Sequence, residues 1–130
     1  MKSRYRKLLL INIMVPLIVG GGYYCLFCPG TFISDLNPFN LCISMGTGIL
    51  RNYGCDFLWA YAFVFAIAFF SDIRIREIVA EAFIFYLVTE VLQLFLIING
   101  TFDLMDIIIE CLAGTIAGVI IFLWRKRDEI

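Results

Sequence analysis

Six polar side chains lie within or at the ends of long apolar runs of this chain: Asp56, Glu90, Gln93, Asp103, Asp106 and Glu110. Ionisable groups are costly inside a lipid bilayer, so acids placed there are usually paired, turned toward other protein segments or functional. Carboxylates grouped in apolar surroundings can share protons, bind a divalent cation or receive a positively charged ligand. Whether the six form one site depends on the segments that carry them.

Hydrophobic residues make up 62% of the 130 positions, which is more than a soluble domain of this length can bury. The chain is therefore predicted to be an integral membrane protein. A bilayer core of about 30 Å requires roughly 20 helical residues. Four spanning segments are predicted, at residues 8–28, 55–70, 78–98 and 104–124. The second is the shortest, and Asp56 and Trp59 suit its interfacial end. The first is expected to remain as an anchor, since no small-x-small cleavage site follows it.

The basic residues predict the orientation of the four spans. All ten Lys and Arg except Arg51 fall on one side, which the positive-inside rule makes cytoplasmic. The predicted fold is an all-α, polytopic four-helix bundle in the cell membrane, one domain over residues 1–130, with both termini cytoplasmic. The basic clusters are expected to meet anionic lipid headgroups. They are too short and too close to the spans to favour nucleic-acid binding.

One long extracytoplasmic loop is predicted at residues 29–54. It is rich in apolar residues, so it is expected to lie on the outer membrane surface or to re-enter between helices. Before it, Gly20-Gly21-Gly22 predicts either close helix packing or a bend. Cys25, Cys28, Cys42 and Cys55 would all lie on the outer side, either as two disulfides or as small apolar thiols, and Cys111 lies within the fourth span.

The polar residues are predicted to converge in depth and in direction. Glu90 and Gln93 are three residues apart and share a helix face. Asp103, Asp106 and Glu110 also follow one face, which a G-x-x-x-G pair, Gly114 and Gly118, continues inward. Glu81 lies about 180° away from Glu90 and belongs to another face.

Only Arg51, with Asn52 beside it, could supply a positive charge to these acids on the outer side. Three arrangements remain open. The acids are partly protonated and hydrogen-bonded to one another, with Arg51 closing one side. A divalent cation sits among them, although no known ligand spacing is present. Or an external ligand brings a positive group. No cofactor is predicted.

The stretch 89–118 resembles the second half of VanZ-like membrane proteins, which carry a Glu-x-x-Gln pair, a short turn and then an Asp on the next helix. Glu90, Gln93 and Asp106 match that pattern, and the stretch 51–62 (RNYGCDFLWAYA) resembles a variant of the same group. The resemblance covers roughly residues 37–120. Glu110 departs from it, standing where the family usually has Asn. The resemblance implies an envelope-associated protein with an outward polar pocket; the family takes its name from glycopeptide-antibiotic resistance.

Three function classes fit these residues. The favoured class is a protein that binds an envelope amphiphile, a lipid or a glycopeptide-type ligand. A membrane enzyme would use paired carboxylates, since the chain has no histidine. A small transporter or channel subunit would use the acids as an ion path. Four short spans bury little surface alone, so a homo-oligomer or a protein partner is also expected.

Overall fold

The computed structural model describes residues 3–27, 49–98 and 102–128. Within them the chain forms four helices: α1 Ser3–Phe27, α2 Ile49–Phe70, α3 Ile75–Leu94 and α4 Leu104–Asp128. The all-helical prediction is confirmed for this part of the chain. Three segments are long and apolar enough to cross a membrane, namely Ser3–Tyr23, Tyr53–Phe70 and Leu104–Arg127.

Helix α3 is not one of those three, although the sequence predicts a span at 78–98. Its 20 residues include Arg76, Glu77, Glu81 and Glu90, which interrupt the apolar run. The helix also ends at Leu94 rather than Ile98. Its crossing of the membrane therefore stays a prediction.

The end of α3 is formed by a tight C-terminal turn. The backbone N–H of Ile97 donates to the carbonyl of Leu92 at 2.9 Å, and that of Leu96 donates to the carbonyl of Gln93 at 3.0 Å. This pair of bonds is the Schellman motif, which requires a left-handed residue. Leu96 takes that conformation, with a φ of 58°. The helix thus ends before the Asn99-Gly100 turn signal, which lies outside the described residues.

Helix α2 begins at Ile49, six residues before the predicted start of the second span. Residues 49–54 are therefore helical, and the prediction that they belong to the outer loop is wrong. The rest of that loop, 29–48, lies outside the described residues, as do Cys28 and Cys42.

Helix α2 holds the assembly together, because it packs against α1, α3 and α4, and α4 packs in addition against α3. The core between these helices is apolar and includes an aromatic side chain. Its largest fully buried side chains are Leu9, Val64, Phe65, Ile78 and Ile121. Many large apolar side chains on the outward faces remain exposed, among them Ile18, Ile84 and Leu123. An exposed apolar surface of this kind fits lipid rather than water.

Small residues let α3 and α4 approach closely, as the G-x-x-x-G pair predicts. Gly114 and Gly118 are buried against α3. A Cβ at Gly118 would lie 2.6 Å from Cγ2 of Val79, and one at Gly114 would lie 2.9 Å from Cε1 of Phe83. Of the three glycines in α1, only Gly20 packs on α2, where its carbonyl accepts from the Cys55 thiol at 3.7 Å.

Polar contacts inside the assembly fix the register of the helices. The Tyr61 hydroxyl donates to Oδ1 of Asn12 at 2.8 Å and joins α2 to α1. The Tyr86 hydroxyl donates to the carbonyl of Ala60 at 2.7 Å and joins α3 to α2. Both bonds lie among apolar side chains, where hydrogen bonds between helices are typical devices of membrane proteins.

Candidate functional site

Four acidic side chains from three helices meet at one end of the assembly. Asp56 lies near the start of α2, Glu90 near the end of α3, and Asp106 and Glu110 in the first turns of α4. Their charges are within electrostatic range of one another in every pairing. We refer to Asp56, Glu90, Asp106 and Glu110 as the acidic cluster. The structure thus places these four side chains in one region, and their role as a binding site stays a prediction.

Glu90 is the most deeply placed member. The buried face of α3 advances in steps of four residues through Ile78, Ala82 and Tyr86 to Glu90. This spacing directs the Glu90 side chain into the interface with the other helices, where it is only 3% exposed. Its Oε2 accepts a hydrogen bond from the backbone N–H of Asp103 at 3.3 Å.

Asp103 is the N-cap of α4. Its Oδ1 accepts from the backbone N–H of Met105 at 2.9 Å, two residues on, as N-capping aspartates do. Its carbonyl accepts from the backbone N–H of Asp106 at 3.1 Å. In the sequence, an Asp directly before an apolar run is a pattern typical of a helix N-cap. Asp103 thus orients the first turn of α4, which carries Asp106.

Tyr53 is a member of the site that the sequence analysis missed. Its hydroxyl donates to Oδ2 of Asp103 at 3.0 Å and joins α2 to α4. Its ring lies within electrostatic range of Asp56, Asp103 and Asp106. The predicted loop included Tyr53, so no helix face could be assigned to it from the sequence.

Glu110 has a buried oxygen without a partner in the described part of the chain. The residue is half-buried, and its Oε2 is buried with no hydrogen-bond partner among the residues that the structure describes. The only ion pair within those residues joins Arg74 to Glu77, at 3.4 Å, in the first turn of α3. No described lysine or arginine therefore neutralises the acidic cluster.

Gln93, Arg51 and Asn52 were also predicted to belong to the site. Gln93 is half-buried in the last turn of α3, and within the described residues its side chain makes no hydrogen bond. Arg51 and Asn52 lie on the first turn of α2. Their side chains fall outside the described part of the structure, so the prediction that they belong to the site stays a prediction.

A metal ligand set is not found in the described ranges. Within residues 3–27, 49–98 and 102–128, no three acidic or cysteine side chains are arranged to hold one ion. Cys111, beside Glu110 on α4, is a half-buried free thiol. The divalent-cation arrangement thus has no geometric support in this part of the chain.

An apolar groove of about 420 Å³ lies near the acidic cluster, although none of the four acids is among its lining residues. Its walls come from α1, α2 and α4, and its lining residues are Val19, Tyr23, Tyr53, Gly54, Phe57, Leu58 and Ile109. Tyr53 belongs both to this groove and to the bond with Asp103. The groove can accept an apolar chain, and the cluster beside it can accept a positive charge.

No protein-family model matches the chain, and no similar protein was found among curated proteins or solved structures. Within the described residues, fold and site define an all-helical protein with three segments long and apolar enough to cross a membrane and an acidic cluster at one end. The VanZ-like resemblance stays a hypothesis that depends on Glu90, Gln93 and Asp106.

Proposed function

We propose that this chain is a VanZ-like multi-pass membrane protein that binds the positively charged group of an envelope amphiphile at its acidic cluster. All four helices cross the cell membrane as a four-helix bundle, with both termini in the cytoplasm and the cluster facing outward. The basic residues support this orientation, since all except Arg51 fall on the opposite side in the predicted topology. A lipid or a glycopeptide-type molecule would be the ligand, in a cell-envelope or antibiotic-resistance role.

The observation that carries this proposal is that no described lysine or arginine pairs with the acidic cluster. Acids in apolar surroundings require an opposite charge or a full set of hydrogen bonds. Glu90 has one such bond, from the backbone of Asp103, whereas Oε2 of Glu110 has none among the described residues. A cationic group of a ligand would supply what Glu110 lacks.

The neighbouring groove supports an amphiphile rather than a small cation. A ligand whose positive group reached Glu110 could lay an apolar chain along Phe57, Leu58 and Ile109. Burial of such a chain contributes roughly 0.8 kcal/mol for each methylene group removed from water. The site would thus recognise the polar and the apolar parts of the ligand together.

The middle of the assembly favours binding over conduction. The fully buried side chains of Leu9, Phe65 and Ile121 fill the space between the helices beyond the acidic cluster. An ion path through the protein would require polar side chains or water at that level. The described core offers neither a ladder of acids nor a polar channel.

Photoaffinity labelling can test the proposal directly. The purified full chain in phosphatidylcholine nanodiscs is exposed to a long-chain alkylammonium probe that carries a diazirine in its tail. We expect saturable labelling of peptides from the groove, around Phe57 and Ile109. The double variant Asp106→Asn/Glu110→Gln should lower labelling at a fixed probe concentration about tenfold, because two charges at the binding group are lost.

The matched control is Glu81→Gln, which removes an exposed carboxylate of α3 outside the cluster. It should label like the wild type. An alkyl sulfate probe with the same tail should label the groove weakly. The proposal fails if the sulfate and ammonium probes label equally, or if the double variant retains wild-type labelling.

A further inference from the structure

At the opposite end of the assembly, α1 and α4 enclose a second pocket. Its volume is about 330 Å³, and it is lined by Arg4, Tyr5, Leu8, Trp124 and Arg127. The two arginines come from different helices and are exposed at the rim. Tyr5 forms the floor and is only 4% exposed.

Arg125 fixes the position of Tyr5 from outside the pocket. Its Nε donates to the Tyr5 hydroxyl at 3.1 Å, and its Nη1 donates to the carbonyl of Ile73 at 2.6 Å. These two bonds tie the start of α1, the end of α4 and the turn between α2 and α3 together. The pocket therefore lies beside a hydrogen-bonded junction of three segments.

The Tyr5 hydroxyl retains donor capacity. A phenolic hydroxyl both donates and accepts, and that of Tyr5 is used as an acceptor by Arg125. Within the described residues it donates to no other group. Two guanidinium groups and one buried O–H donor thus share a pocket that no described acidic side chain lines.

We propose that this pocket binds the phosphate group of an anionic membrane phospholipid. The planar fork of an arginine matches the oxygens of a phosphate, and basic pockets between membrane helices accept lipid headgroups. Leu8 and Trp124 supply the apolar part of the lining, against which the glycerol and the first acyl carbons pack. The site is separate from the acidic cluster and does not depend on the function proposed for it.

Fluorescence of Trp124 gives a local readout of this site. The chain has two tryptophans, so Trp59→Phe leaves Trp124 as the single reporter. The protein in a neutral maltoside detergent is titrated with dihexanoyl phosphatidylglycerol, with dihexanoyl phosphatidylcholine and with inorganic phosphate. We expect a saturable change with phosphatidylglycerol, and a weaker one or none with the other two.

Two double variants separate a built site from diffuse attraction. Arg4→Gln/Arg127→Gln removes both pocket arginines and should raise the half-saturating phosphatidylglycerol concentration about tenfold or more. Lys7→Gln/Lys126→Gln removes the same charge from the same two helices, outside the pocket. It should change the half-saturating phosphatidylglycerol concentration by no more than about twofold, because screened surface charge contributes little. Equal weakening by the two double variants would overturn the proposal.

A measurement on the wild-type chain makes the test independent of whether the variants fold. Native mass spectrometry of the wild-type protein, after incubation with an equimolar mixture of the two lipids, should show retained phosphatidylglycerol in preference to phosphatidylcholine. Equal retention of the two lipids would overturn the proposal. A saturable Trp124 response to inorganic phosphate without one to phosphatidylglycerol would do so as well, because it would assign the site to a free anion.

Discussion

The buried carboxylate of Glu90 accepts a hydrogen bond from the backbone N–H of Asp103, with a distance of 3.3 Å. Glu90 thus contacts Asp103, the N-cap of α4. Helix α4 carries two other acids of the site, Asp106 and Glu110. The arrangement couples the end of α3 to the start of α4. The acids are therefore held by the fold and by their own contacts, before any ligand is considered.

Replacement of Asp103 tests that coupling. Asp103→Ala removes the N-cap of α4 and the acceptor of Tyr53, and it should lower the free energy of unfolding by about 1–2 kcal/mol. Asp103→Asn should lose much less, because an asparagine caps helices nearly as well. The measurement is thermal unfolding in detergent. Asp72→Ala, an exposed aspartate in the turn before α3, is the control, and an equal loss there would contradict the role of Asp103.

Close approach of α3 and α4 makes Gly118 intolerant of a side chain. The Cβ of an alanine would lie 2.6 Å from Cγ2 of Val79, so Gly118→Ala should destabilise the protein by about 1–3 kcal/mol. Gly22→Ala is the control, since no atom lies within 4 Å of its added Cβ, and it should be neutral or stabilising by up to about 1 kcal/mol.

Rescue of Gly118→Ala by a second change would identify the clash. Val79→Ala removes the atom that the new Cβ meets, so Gly118→Ala/Val79→Ala should be more stable than the sum of the two single losses predicts. Strict additivity in unfolding measurements would show that the strain lies elsewhere.

The structural features behind the Asp103 and Gly118 predictions differ in how well the sequence could predict them. Helical periodicity places Asp106, Glu110, Gly114 and Gly118 on one face, and the cost of acids in lipid turns that face toward other helices. Their positions were therefore predictable. Tyr53 was not, because the predicted apolar loop extended to residue 54 and covered residues 49–54, which are the start of α2. A contact between distant segments such as Tyr53 and Asp103 leaves no local pattern in the sequence.

The end of α3 shows a second limit of sequence patterns. Asn99-Gly100 was the first turn signal after the helix, yet α3 ends five residues earlier than Asn99, at Leu94. Leu96 adopts the left-handed conformation in the Schellman turn, and leucine has no propensity for a positive φ that would predict this turn. Tertiary context therefore decided this boundary.

The strained leucine provides a third prediction. Leu96→Gly should stabilise the protein by about 1 kcal/mol, because glycine adopts a positive φ without the steric cost that leucine bears. Leu96 is 83% exposed, so little packing is lost. Leu94→Gly, within the last turn of α3 at a helical φ, is the control and should destabilise. A lower unfolding temperature for Leu96→Gly would contradict the assigned turn.

Removal of one charge from the acidic cluster should have opposite effects on the stability of the protein and on ligand binding. Glu110→Gln relieves repulsion among like charges, so the ligand-free protein should gain about 1 kcal/mol in unfolding free energy while labelling by the alkylammonium probe falls. If the acids instead form a closed hydrogen-bonded network, Glu110→Gln would destabilise. Glu81→Gln, on an exposed face, should change neither quantity.

The most direct test of the amphiphile site is an experimental structure of the full chain with a long-chain alkylammonium bound. We expect the ammonium group within about 4 Å of the carboxylates of Glu110 and Asp106, the range of an ion pair. Its chain should lie along Phe57 and Ile109. Carboxyl groups of the acidic cluster bonded only to one another, or an Arg51 guanidinium among them with the alkylammonium elsewhere, would contradict the account.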